Sequence, residues 1–215
     1  MKMLGAIGGF AALMFVSAGA HAVTIQSTYS VDANAVDPGL QIQTAENAAN
    51  PFTYNLLAGQ SVTFDLFDIW TNENSLDFGL FSGCGADCDP KPISVSFGFL
   101  MPENGQSTVT GTTRGDFDAL ISQEGELRWD GPQTFSYGAN GDGLIEVALS
   151  DEDFNTGLFG LDEGRGAGAT VQASLSLLND ASPMDVPEPK LIGLLGLMLI
   201  ATGLVARQRR DGRIG

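Results

Sequence analysis

The chain has 215 residues, with 26 acidic side chains against 10 basic ones, a formal net charge of −16 and one histidine. That balance repels nucleic acid and anionic membrane surfaces and favours solubility, while it attracts cations and cationic polymers. With His21 as the sole imidazole, Ser-His-Asp and Cys-His machinery and the usual histidine-bearing zinc sites hang on one residue close to the N-terminus.

That residue falls in an export signal. Lys2 supplies the positive start, Leu4 to Val16 an apolar core, and Ala20-His21-Ala22 an A-x-A site. Cleavage is expected after Ala22, so that 1–22 is a signal peptide and the mature chain carries no histidine. An uncleaved N-terminal anchor is the alternative, disfavoured by the glycines and the well-formed site. Residues 23–189 hold 25 acidic side chains and four basic ones, Lys91, Arg114, Arg128 and Arg165.

The body, 23–178, reads as β throughout and is long enough for one domain with a real core. Ile93, Val95, Phe97 and Phe99 alternate with Ser94, Ser96 and Gly98, and Val171, Ala173, Leu175 and Leu177 alternate with Gln172, Ser174 and Ser176. This period of two marks half-buried strands. Between Ser61 and Trp70 the apolar phase changes, predicting a bulge near Asp65–Phe67 or a strand covered on both faces. Further strands are expected over 23–31, 52–57, 107–113, 124–130, 133–138 and 143–149. Gly, Asn, Asp and Pro clusters at 58–59, 102–105, 130–132 and 140–143 separate them. The expected fold is all-β, an antiparallel β-sandwich of about eight or nine strands, with a linker over 179–185.

Candidate chemistry is sparse. Cys84 and Cys88 are the only cysteines, and in an exported chain they are expected to close a local disulfide. The spacing of three and the lack of a cationic neighbour argue against a redox or metal pair. Gly164 to Ala169 nominally fits GxGxxA, but it precedes a strand-like segment, which makes it a flexible loop. Asp151, Asp153, Asn155, Gly157 and Asp162 fit positions 1, 3, 5, 7 and 12 of a calcium-loop frame. Thr156 stands where that loop wants glycine and the flanks are not helical, which excludes a helix-loop-helix site. A β-loop calcium site with Asp142, Asp151, Asp153, Asn155 and Asp162 stays open, and no other cofactor is expected. The pairs Asp65/Asp68, Asp116/Asp118 and Glu124/Glu126 offer carboxylates for glycoside hydrolysis, but nothing singles one out. Trp70 and Trp129 offer stacking surfaces for sugars, with core or edge packing the plainer reading.

The C-terminal stretch has three parts in fixed order. Pro187-Glu188-Pro189 enforces an extended entry, 191–206 is free of charge, and Arg207, Arg209 and Arg210 close the run. Sixteen helical residues span about 24 Å, short of the ~30 Å hydrocarbon core. A plain single-pass anchor is the bland reading of such a tail.

This tail, 186–210, closely resembles the PEP-CTERM sorting signal of Gram-negative bacteria. The segments 56–73, 91–102 and 129–157 also resemble the middle regions of proteins in that family. The resemblance implies export, recognition of Pro187-Glu188-Pro189 by an exosortase, a membrane helix over 191–206 and a basic stop at 207–210. Location is then the inner membrane before processing and the cell surface or surroundings after it. It implies a non-enzymatic surface or matrix protein associated with extracellular polysaccharide or biofilm. A carbohydrate- or calcium-binding module is the alternative, and a carboxylate-dependent glycosidase a weaker one.

Overall fold

The computed structural model describes residues 21–79, 83–118 and 121–182. The chain divides into two compact units, Met1–Ala181 and Ser182–Gly215. Outside the described residues lie Ala20 of the cleavage site, the sorting motif Pro187, Glu188 and Pro189, the apolar run 191–206, and Arg207, Arg209 and Arg210. Among the described residues no helix is long and apolar enough to cross a membrane.

Among the described residues thirteen strands follow one another: β1 (Val23–Asp32), β2 (Gln43–Glu46), β3 (Phe52–Leu56), β4 (Ser61–Trp70), β5 (Phe78–Gly79), β6 (Gly83–Cys84), β7 (Lys91–Met101), β8 (Gly105–Asp118), β9 (Ser122–Trp129), β10 (Gln133–Tyr137), β11 (Gly143–Leu149), β12 (Glu152–Leu158) and β13 (Ala169–Asn179). Two curled antiparallel sheets result, ordered β12-β9-β8-β7-β1-β3 and β10-β11-β13-β4-β2, with β5 and β6 as a separate small pair.

The alternation in the sequence becomes the inner faces. Ile93, Val95, Phe97 and Phe99 of β7 and Val171, Ala173, Leu175 and Leu177 of β13 are all buried in one shared core. Contacts cross between the sheets: Phe99 stacks on Phe135 with centroids 4.5 Å apart, and Phe52 lies 5.1 Å from Phe64. Near the middle, the Tyr29 hydroxyl donates to the Leu66 carbonyl at 2.8 Å. Burial and the neighbouring Glu46 push that phenol up to about 12, so it remains a donor at every ordinary pH. The expected bulge is present. Val171 pairs with Phe67 and Gln172 with Asp65, leaving Leu66 as the extra residue. Both Leu66 and Phe67 are buried there.

Eleven strands in the two sheets exceed the eight or nine expected, for physical reasons. Edge strand β2 is only four residues long and has no buried position. Strand β12 runs through the stretch read as a calcium-loop frame. Its acidic residues belong to an edge strand, where charge on the open side discourages pairing with other chains. Strand β8 is far longer than 107–113 because its inward positions beyond Val109 are Gly111, Thr113 and Gly115, which carry no apolar signal. Glycine is needed at Gly115, where an added Cβ would collide with the Leu76 side chain.

The strand directions give the domain two distinct ends. Val23 pairs with Leu56, and the turn that follows is tied to the last strand by Gly59 N–H donating to Leu177 O at 2.7 Å. Tyr137 reaches Asp180 at the same end, 3.2 Å away. The body's N-terminus and its exit toward Ser182 therefore share one end. Strand β13 rises about 33 Å from Ala169 to Asn179. The segments 33–42, 71–79, 83–90 and 159–168 and the paired ends of β8 and β9 at Asp118 and Ser122 gather at the opposite end.

Candidate functional site

The loop end is assembled from segments with no periodic pattern of their own. Leu76 N–H donates to Gln123 Oε1 at 2.7 Å, Asp77 N–H to Asp87 Oδ2 at 2.7 Å, and Gln41 N–H to Glu73 Oε1 at 3.0 Å. Cys84 and Cys88 are bonded, with Cα atoms 5.8 Å apart, and their loop carries a short 3-10 turn, Ala86–Cys88. The disulfide expected from the sequence thus has a role: it holds the turn that places Asp87, 3% exposed, against Asp77.

These loops form an open, polar-lined cavity of about 310 Å³ lined by Asp37, Gln41, Asn72, Glu73, Asn74, Ser75, Asp77 and Asp87. Four of the eight lining residues are carboxylates. Burial, and after it the charges of Asp87, Asp37 and Asp77, pushes Glu73 above its ordinary value although Gln41 N–H pulls the other way. Burial likewise pushes Asp87 up, helped by Asp77 and Asp37 and opposed by Asp77 N–H. Both groups hold protons more tightly than a free carboxylate.

Beside the cavity stands an apolar tip. Leu158 is 72% exposed, Phe159 79% and Ile121 49%. Phe159 adopts φ 65°, a left-handed conformation that is an outlier for a bulky residue. Its N–H donates to Ile121 O at 2.7 Å, and two residues on, Leu161 N–H donates to Asn74 O at 2.9 Å. Asn74 lines the cavity, so tip and cavity are neighbours.

Asn155 organises the loop that carries this tip. It is fully buried at φ 52° within a register shift of β12. Its Oδ1 accepts from Thr71 N–H at 2.9 Å, and its Nδ2 donates to Gly164 O at 3.0 Å and to Asp162 O. The side chain of Asn155, a residue of the calcium frame, binds backbone. The other proposed calcium ligands are dispersed. Asp142 and Asp151 flank β11 at its two ends, about 20 Å apart by strand rise. Asp151 accepts from Trp129 N–H at 2.8 Å, and Asp153 pairs with Arg128 at 2.7 Å. Among the described residues no group of three or more His, Cys, Asp or Glu side chains is arranged to hold a metal ion.

Most of the remaining sequence candidates lie on the outer faces, whereas Trp129, opposite inward-facing Gly111, packs against the core. Asp68 takes Arg165 at 2.6 Å and Thr170 at 2.7 Å; burial pushes it up, but hydrogen bonds from Thr170, Arg165 and Asn47 hold it below the usual value. Arg165 also lies over the Trp70 ring, 5.7 Å from its centroid. The stretch 164–168 is thus a pinned 3-10 turn rather than a flexible loop. Asp65 accepts from Gln172 at 3.0 Å. Glu126 pairs with Arg114 and, at 3.0 Å, with Arg128. Asp116 stands opposite Glu124 across β8 and β9. Trp129 packs against Gly111 and donates through Nε1 to Ser150 O at 2.9 Å. Neither tryptophan is poised as a free stacking platform.

One face carries few charges. The outward positions of β3, β1, β7 and the first part of β8 include Thr53, Asn55, Thr24, Gln26, Thr28, Ser30, Ser94, Ser96, Gly98, Gln106, Thr108, Thr110 and Thr112, with Pro92 and Leu100 also outward on β7 and Asp32 at the end of β1. Hydroxyls and amides bond across strands here, Thr24 to Asn55 at 2.7 Å and Ser96 with Thr108 at 3.2 Å. No family model, curated protein or solved structure matches the chain.

Proposed function

We propose that this chain is an exported, non-enzymatic display protein, processed by an exosortase at Pro187-Glu188-Pro189 and associated outside the cell with extracellular polysaccharide. The observation that carries this reading is the polarity of the β domain. Chain entry and exit share one end, and the loops occupy the other. A domain delivered through a C-terminal sorting signal then turns its loop end away from the point of attachment. The tail contributes its order of parts, with an apolar run too short to favour permanent residence in the bilayer.

Association with polysaccharide draws support from the hydroxyl- and amide-paved face of β3, β1, β7 and β8. A neutral glycan offers the same kinds of donor and acceptor, and the carboxylates of that face, Asp32 at the end of β1 and Asp130 beside Thr110, lie at its margin. The test compares cells with and without an exosortase. Mass spectrometry of the protein from exosortase-bearing cells is expected to show a chain starting at Val23 and ending near Pro189, which co-sediments with the host polysaccharide. Cells lacking the enzyme are expected to retain the uncut chain in the inner membrane. Recovery of an intact tail from the mature protein would reduce 191–206 to an ordinary anchor.

A further inference from the structure

We propose that the apolar tip formed by Leu158, Phe159 and Ile121 is a docking surface for a protein segment that carries lysine or arginine beside apolar side chains. Two features independent of the sorting signal set this tip apart. Its aromatic is four-fifths exposed, and it is held in a backbone conformation that disfavours phenylalanine. Strain of this kind persists where the surroundings impose it, and it clusters at binding and switch sites. Here the surroundings are the Phe159–Ile121 backbone bond and the Asn155 hub, which fix where the ring is presented.

Charge selects the occupant. The tip borders the cavity lined by Asp37, Glu73, Asp77 and Asp87, through the Leu161–Asn74 bond. The arginines of the described residues are engaged elsewhere, Arg114 and Arg128 with Glu126 and Arg165 with Asp68, and the remaining cation, Lys91, lays its stem against Gly39 at the margin of the loop end. A cationic segment reaching the tip therefore meets carboxylates that no arginine neutralises. A second copy paired tip to tip about a two-fold axis would bring two such cavities together, which repulsion disfavours. A bilayer surface presents anionic headgroups, with the same result.

The experiment uses the exported mature protein and labelled peptides followed by fluorescence anisotropy. The probes are an alternating Leu–Lys peptide, an equally charged Gly–Lys peptide and a Leu–Glu peptide. The Leu–Lys peptide is expected to bind at least tenfold more tightly than the other two. Phe159→Ser is expected to weaken it at least tenfold, Leu158→Ser to weaken it several-fold, and the double change Glu73→Gln, Asp77→Asn to weaken it and flatten its salt dependence. Leu178→Ser, an exposed apolar position at the opposite end, is expected to leave binding unchanged. Equal affinity for the Leu–Lys and Gly–Lys peptides would overturn the proposal. So would equal losses at Leu178 and Phe159, or a wild-type dimer or phosphatidylcholine-vesicle binding abolished by Phe159→Ser in place of peptide binding. Thermal melts of each variant identify any that fails to fold, and Leu158→Ser then decides.

Discussion

Replacing Asn155 by alanine removes the hub beneath the loop end, and the cost follows from its contacts. Thr71 is fully buried, and its N–H loses its acceptor, Asn155 Oδ1 at 2.9 Å. An unsatisfied buried donor costs about 1–3 kcal/mol. The Gly164 and Asp162 carbonyls lose a donor, at about 1 kcal/mol net each. Alanine at φ 52° adds about 1 kcal/mol, because asparagine visits the left-handed region more readily. The expected destabilisation is about 5 kcal/mol, a large share of the 5–15 kcal/mol available to a typical domain. Urea denaturation of 23–182, followed by tryptophan fluorescence and far-ultraviolet circular dichroism, measures it directly. The midpoint temperature should fall by about 15 °C at this chain length. Asn155→Gly relieves the backbone and forfeits only the hydrogen bonds, so it should lie about 1 kcal/mol above the alanine variant. A loss below about 1 kcal/mol for Asn155→Ala would refute the assignment of this residue as the hub.

Glu73→Gln tests the raised carboxylate. The folded state holds the Glu73 proton more tightly than the unfolded one, so stability falls as pH climbs from the ordinary carboxylate value through the raised one. Glutamine keeps the carbonyl that accepts Gln41 N–H and carries no charge; the variant should melt above the wild type at pH 7 and level with it below about pH 4. An equal difference at both pH values would contradict the assignment. Gly125→Ala should cost about 1–3 kcal/mol by overpacking, since the new Cβ meets the ring of Phe154, itself 1% exposed. Adding Phe154→Leu should recover part of that loss in the same urea titration, whereas a strictly additive double variant would place the clash elsewhere.

How much was legible depended on whether a residue's role repeats along the chain. Strands β7 and β13 announce themselves, because every second residue enters the core and is apolar. Even the bulge in β4 shows, since inserting Leu66 reverses the alternation. Strand β12 stays hidden because its inward positions are Phe154, Asn155 and Gly157, only one of them a large apolar residue. The acidic cavity has no sequence signature at all. Its carboxylates, Asp37 to Asp87, are spread over fifty residues of a chain that is acidic throughout. Only the closure of two loops, pinned by single side-chain acceptors at Glu73 and Gln123, brings them together.

The distribution of the few cations explains why the loop end, among all acidic surfaces of this domain, acquires a distinct character. On the outer sheet faces each arginine compensates carboxylates in register: Arg114 and Glu126 are cross-strand partners, and Arg165 reaches Asp68 beside the strand partner Thr170. The Arg114 and Arg128 contacts lie on regular strands, where a fixed spacing lets one guanidinium serve two neighbours, as Arg128 serves Glu126 and Asp153, while Arg165 reaches Asp68 from the 3-10 turn beside the sheet. The loops offer no such register, and their carboxylates are instead satisfied by backbone N–H groups at Gln41 and Asp77. A backbone donor satisfies a lone pair but brings no full positive charge, so the repulsion among Asp37, Glu73, Asp77 and Asp87 persists and helps to lift Glu73 and Asp87. A cationic group arriving there would relieve that repulsion, and the adjoining Phe159 would at the same time lose its exposure to water. Binding at this end thus draws on two terms that the isolated domain leaves unfavourable, one electrostatic and one hydrophobic.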